Sequence, residues 1–282
     1  MTPRIDAHQH FWRFDPARYR WIGAHMPQLR QDYLPELLAP LLAAHGLDGS
    51  IAVQARADSE ETDELLALAA NSPWIRAVVG WADLRSPGLA SQLQRWSTNP
   101  LLRGFRHQVQ DEPSPSAWLE DAAANRGVAL LQAHGYVYEL LVHARDLAAA
   151  ADFCRRHAAH WLVLDHLGKP DLGHESPDQW RRRIAPLAEL PHVACKLSGL
   201  VTEADWQGWS TAQLRPYLEI ALELFGPHRL LLASDWPVCL LAADYAQVIE
   251  LQRSLLDELS TDERAAISGG TACRLYEFGE TR

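Results

Sequence analysis

The stretch Arg4-Ile5-Asp6-Ala7-His8-Gln9-His10-Phe11-Trp12 decides between two architectures. Residues 4–10 read as a short buried strand that ends in polar side chains. The aromatic pair Phe11-Trp12 succeeds it. The glycine-rich phosphate turn that opens many doubly wound sheets is missing, and this disfavours an open sheet. Seven further apolar runs come after it, at 50–54, 75–82, 101–106, 136–142, 161–165, 192–197 and 229–234. Longer amphipathic stretches separate them, with helices expected over 33–45, 59–71, 116–134, 144–160, 177–190, 211–225, 242–259 and 262–268. Leu34, Leu37, Leu38, Leu41 and Leu42 show the helical spacing. Strands that alternate with helices in this way predict an α/β fold, a (β/α)8 TIM barrel. The run VALLQAH at 128–134 admits a strand reading, but Gly135 and the strand-like 136–142 come directly after it. A helix there makes His134 a helix-end residue outside the site.

No linker, repeat or low-complexity tract interrupts the 282 residues, which suits one barrel domain over 1–282. The segment at about 11–32 is a long loop rich in aromatics and arginines, expected as a lid, and about 242–282 forms C-terminal helices. The net charge of -10 argues against a nucleic-acid partner. No apolar run is long enough to span a membrane, and the N-terminus has no apolar signal core. Cys154, Cys195, Cys239 and Cys273 form no CxxC pair and read as reduced thiols, so a cytoplasmic protein is expected. A homo-oligomer stays open. Only two of the 26 basic residues are lysines, Lys169 and Lys196, whereas histidines number 13 and tryptophans 11.

Barrel sites form where the strands end. His8 and His10 lie two apart, so on a strand they share a face and offer half of a metal site; two solvated loop histidines are the alternative. The sixth strand ends at Asp165-His166 and the eighth at Ser234-Asp235-Trp236. A carboxylate after an apolar run needs a partner or a metal, unless Asp235 merely caps a helix. His8, His10, His166 and Asp235 together make a metal-hydrolase constellation, with Asp235 able to take a proton from water. Arg103, Arg106 and His107 on the fourth strand could hold a carboxylate, hydroxyls or an oxyanion, or form a rim salt bridge. Lys196 ends the seventh strand, Gln54 the second, and Glu139 lies within the fifth. Each is a candidate site residue or a satisfied core group. Trp12, Trp21 and Trp236 are placed near the mouth.

The blocks DAHQHFW (6–12), IAVQA (51–55), LRGFRH (102–107), LDHLGKP (164–170), KLSGL (196–200), SDWPV (234–238) and GGTACRLY (269–276) occur in an order that resembles the amidohydrolase superfamily. Within it the chain is similar to the amidohydrolase-2 group of sugar-lactone hydrolases, over nearly its whole length. The resemblance implies an amidohydrolase-type barrel that hydrolyses a small-molecule lactone, with the L-fuconolactone type favoured. It implies His8, His10, His166 and Asp235 as metal site, and Asp235, His166 and Arg106 as catalytic residues. Trp12, Gln54, Arg103, His107, Lys196 and Trp236 would then face substrate. One divalent ion, zinc by preference, is implied, bound weakly or dispensable. The fourth strand lacks the lysine or glutamate that bridges two metals in many relatives, and the fifth lacks a clear histidine ligand, since His143 falls at its very end. Thr271 stands where an asparagine is expected. A pyrone-dicarboxylate lactonase and a metal-dependent decarboxylase are the enzymatic alternatives, and a non-enzymatic sugar-binding barrel is the third.

Overall fold

The computed structural model describes residues 2–278. Eight parallel strands pair strictly in chain order: β1 (Ile5–Gln9), β2 (Gly49–Val53), β3 (Ile75–Gly80), β4 (Leu102–His107), β5 (Val137–Leu140), β6 (Leu162–Leu164), β7 (Val193–Lys196) and β8 (Leu230–Leu231). The helices are α1 (Pro35–Ala44), α2 (Ser59–Ala70), α3 (Leu89–Trp96), α4 (Pro115–Glu120), α5 (Ala122–Ala133), α6 (Leu147–Arg156), α7 (Pro177–Ala188), α8 (Leu200–Glu203), α9 (Thr211–Phe225), α10 (Tyr245–Arg253), α11 (Thr261–Ala265) and α12 (Thr271–Leu275). Every expected strand is present. Ile5, Ala7, Ile51, Val53, Ala77, Val79, Val137, Val163, Ala194 and Leu231 alternate along their strands and fill the barrel interior. A larger apolar layer lies between the sheet and the helices. No helix among the described residues is long and apolar enough to cross a membrane.

Two expected elements differ, and three helices were not expected. The helix expected over 116–134 is broken at Asp121, whose backbone turns extended and whose carboxylate accepts from Ala124 N at 2.8 Å. A strong N-cap inside the run starts α5 afresh. The helices α3, α8 and α12 are too short to announce themselves by periodicity. The C-terminal segment is less regular than expected: α11 passes through a wide turn at Ala266–Gly270 into α12. There Ala272, Leu275, Tyr276 and Phe278 plug the end of the barrel where the strands begin. Residues 279–282 of the expected C-terminal helices lie outside the described residues.

The lid loop is held at its base by a two-way pairing of Trp12 and Tyr33, at 2.9 and 2.8 Å. Its one regular piece is a short 3-10 turn at Pro27–Leu29. The Trp21 indole N–H donates to Ala55 O at 2.8 Å, which ties the loop across to the end of β2.

Candidate active site

β8 is only two residues long, yet the chain continues beside β1 as if the strand went on. Ala7 N donates to Leu232 O at 2.9 Å, Asp235 N to His8 O at 2.9 Å, and His10 N to Trp236 O at 2.7 Å. These bonds close the barrel and set Asp235 against His8 and His10. Asp6 rivets the seam from below. Its carboxylate accepts from Ser234 N at 2.8 Å, Ser234 Oγ at 2.6 Å, Tyr245 OH at 3.0 Å and His8 N at 3.2 Å. Burial pushes its pKa up to about 6 despite these donors.

Left-handed backbone in non-glycine residues collects at these strand ends: His166, Leu167, Lys169 and Asp235 have φ of 53°, 56°, 49° and 58°. Such strain gathers at functional sites, where the surroundings hold it in place. Beside His166, Gly199 has φ +84°, and a Cβ there would lie 2.4 Å from His166 Cβ. Only glycine lets the chain after β7 pass this close to the imidazole.

The Nε2 atoms of three histidines converge on Asp235. Its Oδ1 lies 3.3 Å from His10, 3.7 Å from His8 and 3.9 Å from His166, and the Nε2 atoms of His8 and His10 are 3.1 Å apart. With metal bonds of about 2.0–2.2 Å, tetrahedral ligands sit roughly 3.3–3.6 Å from one another. The ligand atoms of His8, His10 and Asp235 all lie within 4.8 Å of one another and fit a divalent ion such as zinc, and His8, His166 and Asp165 form a second such group. His10 Nδ1 donates to Val53 O at 2.7 Å, and His166 Nδ1 is 2.8 Å from Ser198 Oγ. The Val53 carbonyl takes the Nδ1 proton of His10 and so leaves its Nε2 lone pair pointing inward, as a metal-ligating imidazole requires. Burial lowers the pKa of all three histidines, that of His166 to about 4. Burial opposes ionisation of Asp235 too, but His166 and His10 outweigh it and hold its pKa below the usual carboxylate value. Near neutral pH the site therefore offers three neutral imidazoles and one carboxylate.

Beneath this set lies a closed charge network. Arg106 donates through Nη1 to Asp165 Oδ2 at 3.1 Å, and the same nitrogen is 3.1 Å from His8 Nε2. Its Nη2 donates to Gln54 O. Lys196 Nζ sits 2.5 Å from Glu139, 3.1 Å from Asp165 and 2.9 Å from His8 Nδ1. Tyr276 OH donates to the other oxygen of Glu139. Two carboxylates thus answer two buried cations, which a buried charge requires.

A cleft of about 280 Å³ opens above. His10, Arg106, His166 and Asp235 form its floor, with Trp21, Met26, Gln108, Gln110, Lys169 and Trp206 among its walls. The expected site residues thus divide. His8, His10, His166, Asp235 and Arg106 come together. Gln54 and Lys196 reach the cluster from beneath and do not line the cleft. Gln54 instead holds Arg106, and Lys196 holds His8, Glu139 and Asp165. Arg103, His107, Trp12 and Trp236 are not brought to the cleft. Arg103 is three residues from Arg106, and strand alternation turns it to the opposite face. His107 points the same outward way, stacked on Trp118 and 2.7 Å from Glu112. Trp12 and Trp236 are only 2% exposed and pack in an aromatic cluster with Tyr33. Sequence reasoning missed Asp165 and Ser198, whose signal was adjacency to the two matched strand ends. It also missed Gln108, Gln110, Lys169 and Trp206 as walls, because loops carry no periodicity that says where they fold.

The amidohydrolase family pattern matches residues 5–278. A protein of Burkholderia multivorans named L-fucono-1,5-lactonase is 54% identical over 98% of this chain and 97% of its own length. A second L-fucono-1,5-lactonase, from Burkholderia ambifaria, is 35% identical over 99% of this chain and 97% of its own length. The crystal structure of an amidohydrolase from Burkholderia multivorans with bound zinc superposes with a TM-score of 0.96 at 52% identity, covering 98% of this chain and all of that one.

Proposed function

The chain belongs to the amidohydrolase family, and we propose that it opens the ring of L-fucono-1,5-lactone or a closely similar aldonolactone to give the aldonic acid. It is a hydrolase acting on a lactone ester. The observation that carries the reading is a buried carboxylate, Asp235, within 3.9 Å of three neutral imidazoles on the floor of a cleft of sugar size.

His8, His10, His166 and Asp235 would hold one divalent ion. When bound, such an ion supplies Lewis acidity and makes water a better acid. The chain's own residues do the rest. Asp235, ionised and in contact with His10, accepts a proton from the water that attacks the lactone carbonyl. The C–O bond to the ring oxygen then breaks, and Asp235 returns the proton to that oxygen as it leaves. Arg106 is fixed by Asp165 and Gln54, so its guanidinium is pre-aimed at the oxyanion that forms on the carbonyl. Trp21, Met26 and Trp206 screen the cleft from bulk water. The free cysteines support a cytoplasmic address.

A dicarboxylated pyrone fits less well. Among the described residues Arg106 is the one arginine that lines the cleft, and Lys169, the other cation there, is 3.3 Å from Glu203. A panel of aldonolactones read with a pH indicator, with and without zinc, tests the proposal. Acid release from L-fuconolactone is expected. Release from no lactone of the panel overturns it.

A further inference from the structure

The cleft is lined asymmetrically, and the barrel order makes the asymmetry a spatial one. Strands β7, β8 and β1 are adjacent around the ring, and β4 and β5 lie across from them. From the first arc come Trp206, Val238, Leu241 and Met26. These belong to one packed unit. The turn at Pro27–Leu29 packs against the turn at Val238–Leu241, which also packs against α8, and His25 stacks on Trp206 at 6.3 Å. The Trp206 indole N–H is spent on Thr202 O at 3.0 Å, so that side chain offers the cleft only carbon. The polar residues of this side are engaged: Lys169 pairs with Glu203 at 3.3 Å, and the Thr202 hydroxyl donates to Gly199 O at 2.9 Å. Gln108, Gln110 and Asp111 enter from the far arc, after β4.

Covalent connectivity orients the substrate between these walls. In a 1,5-lactone the ring oxygen is bonded to C5, which carries C6. The group that returns a proton to the ring oxygen is Asp235, and Val238 lies three residues beyond it on the same arc. The C6 end therefore falls beside Val238, and the ring hydroxyls fall towards the glutamines.

On the lactonase reading, we infer that Met26, Trp206, Val238 and Leu241 form a specificity wall that takes the C6 methyl of a 6-deoxy aldonolactone. A C6 hydroxyl would lose its water there and find no partner. An apolar pocket rejects an added hydroxyl by at most about 10²-fold, so the effect is a preference, not an exclusion.

The test compares kcat/KM for L-fuconolactone and L-galactonolactone of the same ring size, which differ only by the C6 hydroxyl. The wild type is expected to prefer the deoxy lactone by about 10–100-fold. Val238→Thr with Met26→Gln gives the wall hydrogen-bonding groups at nearly constant volume. This pair is expected to shrink the preference at least tenfold, chiefly by raising the rate on the galactono substrate, with an unchanged melting temperature as the folding control. Gln110→Leu, across the cleft, is expected to slow both substrates and leave their ratio unchanged. A wild-type ratio near one, or a ratio that responds to Gln110→Leu and not to the wall variants, overturns the inference while leaving the lactonase reading intact. Hydrolysis of neither lactone by the wild type overturns that reading, and the wall with it.

Discussion

Two arginines three residues apart on one strand receive opposite fates. Arg106 is buried, paired with Asp165 and in contact with His8, whereas Arg103 lies on the outer face. The difference is one of parity. Gly104 and Arg106 share the inward face of β4, and a residue three positions from Arg106 cannot. The parity was legible in LRGFRH, but which face turned inward was not, because the strand's register with β3 and β5 sets it. The same gap explains His107. His8, His10, His166 and Asp235 needed no such information: they sit where strands end, and a position at a strand end is visible in sequence. Arg106→Gln should cost about 10²–10³ in kcat, the usual loss when an oxyanion donor is removed. Arg103→Gln should leave kcat/KM within about threefold, a far smaller change. Steady-state kinetics of the two variants decide the matter, and a comparable loss in both would contradict the assignment.

The elements around the site were readable as types and less so as boundaries. All eight strands stand where the apolar runs lie, but Asp121 split one expected helix by capping another. The lid's base was invisible, since the pairing of Trp12 with Tyr33 spans a loop. On the outer helical layer, α6 ends at His157, whose Nε2 is 2.8 Å from Asn125 Oδ1 just within α5. Burial, with Arg156 adding to it, lowers its pKa to about 4. The folded state therefore keeps His157 neutral while the unfolded chain takes up a proton below about 6.5. Stability drawn from this residue is intact above that pH and is lost as the pH falls towards 4. Urea midpoints at pH 8 and pH 4.5 should accordingly show the wild type's advantage over His157→Gln shrinking at the lower pH. A constant difference would contradict the buried neutral state.

For the whole molecule, the unusual composition resolves into architecture. The two lysines are not surface charges: Lys196 is buried in the network under His8, and Lys169 lines the cleft. Several of the tryptophans build the lid and its packing, and only Trp21 and Trp206 reach the cleft. The C-terminal segment plugs the barrel and supplies Tyr276 to Glu139, a link of 137 residues in sequence that no local pattern foretells. An ion held by His8, His10, His166 and Asp235 would tie the ends of β1, β6 and β8 together and so brace the barrel. Zinc at 100 times its Kd should add about 2.7 kcal/mol to the unfolding free energy. For a chain of this size that raises Tm by roughly 4–5 °C. The double variant His8→Asn, His10→Asn should show no rise in a thermal-shift titration, and an equal rise would place the ion elsewhere. The central claim is that Asp235 moves the proton in lactone opening. Steady-state hydrolysis of L-fuconolactone by Asp235→Asn, alongside the wild type and with metal content measured in both, tests it most directly. A kcat reduced by about 10²–10⁴ with KM changed little is expected. Hydrolysis by Asp235→Asn at the wild-type rate would contradict it.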